Sequence, residues 1–485
     1  MTRLPVRSGS ALATIAGIRA PAWISDPRHG SGWKERGAAL PGAAPLFCFL
    51  GALLDGRKSM PDEIRARVRY PALSFRPGVA SMPAFIRQVT IRNYKSIAAC
   101  QLELGPLMFL VGPNGAGKSN FLDALRFVAE SLRTSIDHAL RERGSIKEVR
   151  RRSGGHPNHF ALRFDFTLPN GSRGHYAVRV GAKPSGAFEV QDEECRIAPA
   201  EALGVFHHFR VKSGRLENSS VTPMPAALSD RLFLVAASGI PEFRPVFDAL
   251  SRIEVYNLNP ASIAAMQRPD PGDILRRDGS NAASVFQQFS AEAKDKVRDS
   301  LSRIVPGISD AEVKALGSQE TIEFRQNVKG QAHHWRFLAA AMSDGTLRAF
   351  GILLAVLQAM SAKDHANAPL LIGLEEPEIA LHPAASSVLL SALREGAADC
   401  QILVTSHSPE LLDNTDIPPE AILAVDNEAG LTRIGRIDPQ TRELLREKMF
   451  TPGELLRQNQ LSPDPASVTD VSNDRQLKLF DSAGR

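Results

Sequence analysis

From residue 84 onward, apolar runs and turn-forming residues follow each other in an order that predicts elements. Residues 84–91 read as a strand, 93–96 as a turn, a second strand lies near 101–104, and 106–111 is an apolar run entering a glycine-rich loop. A helix is predicted from 119 to about 132. Residues 160–168, 176–180 and 188–190 alternate apolar and polar, the pattern of a small antiparallel sheet with one wet face. Between about 203 and 304 the period is helical but cut by prolines at 223, 225, 241, 245, 260, 269 and 271. A strand returns at 321–325 and a helix at 346–360. Two short apolar runs, 370–374 and 402–404, sit between helical stretches like parallel strands buried on both faces, which makes the fold class α/β. Beyond about 461 the chain is polar and expected to be disordered.

Composition adds a boundary. The net charge is +5, yet residues 1–81 hold twelve Lys and Arg against five Asp and Glu, so the remainder is slightly acidic. Those 81 residues show no sustained period and are rich in Ala, Arg, Gly and Pro; we expect a disordered or mis-annotated extension, with Met82 as the start. The apolar stretches at 44–54 and 349–360 fall short of the roughly 20 residues of a membrane span. Cys48, Cys100, Cys195 and Cys400 form no CxxC pair, so neither a disulfide framework nor a zinc site is indicated, and a cytoplasmic setting is expected.

Four segments carry chemistry. Gly112-Pro-Asn-Gly-Ala-Gly-Lys-Ser119 has the full GxxxxGK[ST] spacing after an apolar strand and before a helix. In such a loop successive N–H groups face phosphate oxygens, the lysine reaches the β and γ phosphates and the serine reaches Mg²⁺. The strand 370–374 ends in Glu375-Glu376-Pro377-Glu378, two carboxylates suited to a metal and to an attacking water. The strand 402–404 delivers His407 at its C-terminal end, the edge where open α/β sheets bind ligands. Ser343-Asp-Gly-Thr346 opens a helix, where hydroxyl and amide can cap an anion or serve as a plain N-cap.

In this order, and with Ile91-Arg-Asn-Tyr-Lys-Ser-Ile97 upstream, the motifs resemble those of the RecF-like and SMC-like branch of the ABC ATPases, OLD-like but without a Toprim domain. The resemblance covers about 84–458. It implies a P-loop NTPase head of ABC type with a mixed sheet, a small antiparallel sheet subdomain and a helical lid insertion. It implies ATP and Mg²⁺ as cofactors. By this likeness Asn114, Gly115, Gly117, Lys118, Ser119 and Asn120 form the Walker A loop, Glu375 with Ser119 holds the metal, and Glu376 is the catalytic glutamate. Residues 380–383 look like the D-loop and His407 like the switch histidine. Ser343 and Gly345 belong to the signature, which in this superfamily meets the nucleotide of the opposite subunit. Glu375 departs from the usual aspartate.

The expected divisions are the extension 1–81, an N-lobe 82–202, a helical lid or arm 203–310, a C-lobe 311–460 and a tail 461–485. Lys118 lies 257 residues before Glu375, about twice the spacing of compact transporter heads, and no heptads fill the gap. The resemblance implies a homodimer through the heads and sequence-independent DNA binding, in repair, recombination or phage defence. Arg141, Arg143, Lys147, Arg150, Arg151 and Arg152 form one basic cluster suited to phosphate, or to a solvated loop. The alternatives are an ATP-gated regulator of a separately encoded effector and, behind it, a transporter ATPase subunit. No membrane partner is expected.

Overall fold

The computed structural model describes residues 85–152, 157–200, 204–331, 333–361, 368–469 and 479–481. The extension 1–81 and Met82 lie outside the described residues. Sixteen strands are described: β1 (Ile86–Tyr94), β2 (Ile97–Glu103), β3 (Leu107–Val111), β4 (His159–Thr167), β5 (Arg173–Ala182), β6 (Phe188–Ala198), β7 (His207–Lys212), β8 (Arg215–Ser219), β9 (Ile253–Tyr256), β10 (Ile308–Leu316), β11 (Gln319–Gln326), β12 (Trp335–Leu338), β13 (Leu371–Glu375), β14 (Gln401–Ser406), β15 (Ile422–Glu428) and β16 (Leu431–Arg436). Thirteen of them form one sheet in the order β8-β7-β6-β5-β4-β1-β2-β16-β15-β3-β14-β13-β9, and β10-β11-β12 form a second.

The large sheet has two halves with different chemistry. From β8 to β2 neighbouring strands are antiparallel, and the face expected to be wet is largely covered, with His175, Asp192 and Glu194 buried on it. From β15 to β9 all pairs are parallel. The parallel strands β3, β13 and β14 are almost wholly buried, which explains their uninterrupted apolar runs. Helix α1 (Lys118–Arg133) lays Phe121, Leu125, Val128 and Leu132 against this sheet at helical spacing. Helix α2 (Ala291–Ile304) packs beside α3 (Asp344–Ser361). Because α3 is covered on nearly every side, its sequence lacks a polar face; Phe350 meets Phe286 and Phe324 edge-on at 5.2 and 5.5 Å.

Two expectations are corrected. The segment 203–310 is not purely helical: β7 and β8 extend the antiparallel half, and β9 is the edge strand beside β13. Each has four to six residues, too few to establish a period of two against the flanking helical pattern. The polar tail is also ordered in part. Ile437 bridges Pro463, Leu461 is buried, and the Gln101 amide donates to Thr469 Oγ1 at 2.9 Å. Backbone and hydroxyl bonds hold this segment, and they leave no mark in hydropathy.

Candidate functional site

Strand β3 ends at Val111, and the loop that follows is held from behind by the hairpin β15–β16. Gly117 has φ 102°, and a Cβ there would overlap the Thr432 hydroxyl; one on Gly112 would overlap the Val425 carbonyl. Both positions therefore require glycine. Thr432 Oγ1 donates to Ala116 O at 2.8 Å and lies 2.6 Å from Ser96 Oγ, which also accepts from Asn120 Nδ2 at 2.6 Å. Asn114, Gly115 and Ser119 face outward from this braced loop. Lys118 is buried, and its ammonium donates to Gly112 O and Pro113 O at 2.9 and 3.0 Å. Burial holds its pKa below the ordinary value despite the pull of Glu376 and Glu378.

The strand order β3-β14-β13 brings His407 and the acidic cluster to the same edge as this loop. Glu376 Oε1 lies 3.9 Å from Lys118 Nζ and 3.3 Å from His407 Nδ1. Glu376 has φ 44°, and its amide donates to Thr405 O at 3.0 Å, so the backbone turns sharply as it leaves β13. Glu378 is buried, which raises its pKa, and its Oε1 accepts from Ser406 Oγ at 2.7 Å and from the His407 amide at 3.3 Å. Glu378 thereby anchors the end of β14 that presents His407.

Two arginines absent from the sequence expectations complete this corner. Arg348, on α3, donates to Leu258 O, Glu375 O and Glu376 O at 3.1, 3.3 and 3.0 Å. Burial lowers its pKa, against the pull of three carboxylates. Arg277 places NH2 3.0 Å from Glu375 Oε1. Glu375 is thus paired with a guanidinium, and a metal held there would have to displace it.

Ser343 and Gly345 lie at the start of α3. Ser343 Oγ caps α3 by accepting from the Thr346 amide at 3.3 Å, and its side chain is exposed. Gly345 packs against Ala380 O so closely that a Cβ would collide with it. Among the described residues, no hydrogen bond or ion pair joins either of them to Lys118.

The basic cluster is corrected at one position. Arg143 is buried, donating to Asp123 at 3.0 Å and to Glu130 at 2.6 Å, while Tyr94 Oη donates to the same Asp123 carboxylate at 2.8 Å. Burial opposes ionisation of Asp123, but Arg143 and Lys95 prevail and hold its pKa down to about 2. Arg143 is therefore an internal tie. Arg141 and Arg152 remain exposed, paired with Asp137 and Glu148 four residues earlier.

Two family descriptions match this chain: an AAA ATPase domain over residues 85–193, and an AAA domain, putative AbiEii toxin of a type IV TA system, over 239–413. The chain is 50% identical over 50 residues to the chromosome partition protein Smc of Desulfitobacterium hafniense, covering 10% of this chain and 4% of that protein. It is 30% identical over 127 residues to the structural maintenance of chromosomes protein 1 of Schizosaccharomyces pombe, covering 24% and 10%. It thus spans at most a tenth of the length of these two relatives. Among solved structures, an Smc head bound to the C-winged helix domain of ScpA aligns at 14% identity with a TM-score of 0.48, covering 74% of this chain and 99% of that one. The SMC head domain from Thermotoga maritima aligns at 12% identity with a TM-score of 0.38, covering 73% and 99%. No helix among the described residues is long and apolar enough to cross a membrane.

Proposed function

We propose, for a chain that carries an ABC-type ATPase head of the RecF-like and SMC-like kind, that it binds ATP on the loop 112–119 and hydrolyses it between two copies of itself, acting on DNA. The observation that carries this reading is the meeting of Lys118, His407 and Glu376 around one carboxylate oxygen, 3.9 and 3.3 Å away. Glu376 is the base that orients and deprotonates the attacking water. His407 holds that carboxylate on one side and can donate to a phosphate oxygen on the other. Lys118 exchanges the carbonyls of Gly112 and Pro113 for phosphate oxygens, a charge-assisted partnership stronger than the one it leaves. Ser119 and Glu375 would hold Mg²⁺, which when bound neutralises charge on the phosphates. Two copies are invoked because the Ser343 face and the Asn114–Gly115–Ser119 face are both exposed on one chain, so a two-fold axis can bring each against the other.

The test is steady-state ATP turnover of the full chain against Glu376→Gln, with and without linear, circular and single-stranded DNA. We expect turnover in the wild type, a loss of at least about a hundredfold in the variant, and stimulation by one DNA form. Turnover unchanged in Glu376→Gln refutes the site. Turnover indifferent to every DNA form moves the reading to an ATP-gated regulator of a separate effector, which the toxin–antitoxin description of the family matching 239–413 favours.

A further inference from the structure

The outer face of the antiparallel half carries a second constellation, far from the ATPase corner in the order of the strands. Cross-strand register places Arg163 (β4), His175 and Arg179 (β5), Glu194 and Arg196 (β6) and Arg210 (β7) on the face opposite the buried Phe164, Tyr176, Cys195 and Phe209. Leu479, Phe480 and Asp481 of the tail lie on it, and Leu479 O accepts from Arg163 at 3.3 Å. The Phe480 ring sits 5.0 Å from the Arg179 guanidinium and 5.4 Å from that of Arg210. The Asp481 carboxylate meets Arg163 at 3.2 Å and Arg196 at 3.4 Å. Its carbonyl accepts from Arg210 at 2.7 Å, and its amide donates to Glu194 Oε1 at 3.0 Å.

The guanidiniums are set in place from below. Asp165 holds Arg163 at 2.9 Å, Asp192 holds Arg210 at 3.0 Å, and buried Glu194 accepts from or pairs with His175 at 2.7 Å. One donor is left over: Arg179 Nε is buried and has no hydrogen-bond partner among the described residues. A cluster of His175, Glu194 and Asp481 could be read as a metal site. Arg163, Arg196 and Arg210 already neutralise those carboxylates, and a dication added among three guanidiniums would be repelled.

The site therefore offers cations to the face of a flat ring, two more to an adjacent anion, and a buried carboxylate to an N–H. That is the complement of a nucleotide unit: a base with its ring nitrogens, beside a phosphate. We propose that this face binds single-stranded DNA and that Phe480 and Asp481 occupy it as an internal mimic, the ring in place of a base and the carboxylate in place of a phosphate. The inference rests on the reading that the protein acts on DNA, and it assigns single strands to a face distinct from the ATP site. Duplex DNA fits poorly, since its bases are stacked inside and present no free face to Arg179 and Arg210.

The test uses the full chain and labelled oligothymidylate, with the matching duplex as comparison, read by fluorescence anisotropy at fixed low salt. Phe480→Ala combined with Asp481→Asn should tighten single-strand binding by about tenfold or more and leave duplex binding nearly unchanged. Adding Arg179→Ala and Arg210→Ala should abolish the gain. ATP affinity, measured on the same preparations, should stay at the wild-type value and so report an intact head. No gain, an equal gain on duplex, or a gain that survives loss of both arginines overturns the proposal. DNA-stimulated turnover in the wild type with no gain in the tail variant would sink this inference alone; the expected gain without stimulated turnover would sink the DNA-driven ATPase reading alone.

Discussion

At the residue scale, Arg348 concentrates several tasks in one guanidinium. It satisfies carbonyls at the ends of β9 and β13 from its seat on α3, so the turn that carries Glu376 is tied to the helix that Ser343 caps. A lysine has the charge but not the planar fork, and it can reach at most part of this set. Arg348→Lys should lower kcat by roughly ten- to a hundredfold, because one or two buried carbonyls lose their donor and the carboxylate drifts. ATP affinity should stay close to wild type, since Arg348 touches none of the loop 112–119; separate measurement of kcat and Kd checks the split. The chemistry-bearing residues at this scale were largely legible: the glycine loop, the paired glutamates and His407 announce themselves by spacing. Arg348 and Arg277 did not, because an arginine that bonds backbone carbonyls or one distant carboxylate has no neighbours in sequence that mark it.

At the element scale, the hairpin β15–β16 forms the rear wall of the phosphate loop. It contributes the Thr432 hydroxyl, shared between Ala116 O and Ser96 Oγ, and the steric fit of Gly117 against Thr432 and of Gly112 against the Val425 carbonyl. Thr432→Val keeps the shape and removes the hydroxyl, leaving a buried carbonyl without its donor at a cost of about 1–3 kcal/mol. Part of that cost falls on the loop, so ATP binding should weaken by roughly five- to tenfold, whereas Thr432→Ser should stay near wild type. Isothermal titration of ATP into the three proteins decides it. Hydropathy located the buried strands β3, β13 and β14 but not this wall, and not β9. A strand of four residues, or one whose role is a hydroxyl aimed backwards, carries too little pattern to stand out.

At the scale of the whole molecule, the proposed pairing of the exposed Ser343 segment with the exposed glycine loop of a second copy makes a sharp demand on assembly. If two copies complete each other, Lys118→Ala and Ser343→Arg should each abolish turnover alone, yet a mixture should recover about a quarter of wild-type activity. Half of the randomly paired dimers are then mixed, and each mixed dimer has one intact site. A mixture as inactive as its components argues for a site complete within one chain. Gly345 adjoins Ser343, and its packing against Ala380 O leaves no room for a side chain. The brace on the phosphate loop has a further consequence, in time. Ala116 and its partner Thr432 are 316 residues apart, and Ser96 and Thr432 are 336 apart. At a synthesis rate of about 5–20 residues per second, a growing chain exposes its glycine loop for roughly 15–60 s before the residue that shapes it has been made. If the loop binds ATP as proposed, a chain cut short anywhere in that interval carries the glycine loop yet lacks the hydroxyl that shapes it, and should bind nucleotide more weakly than the full chain.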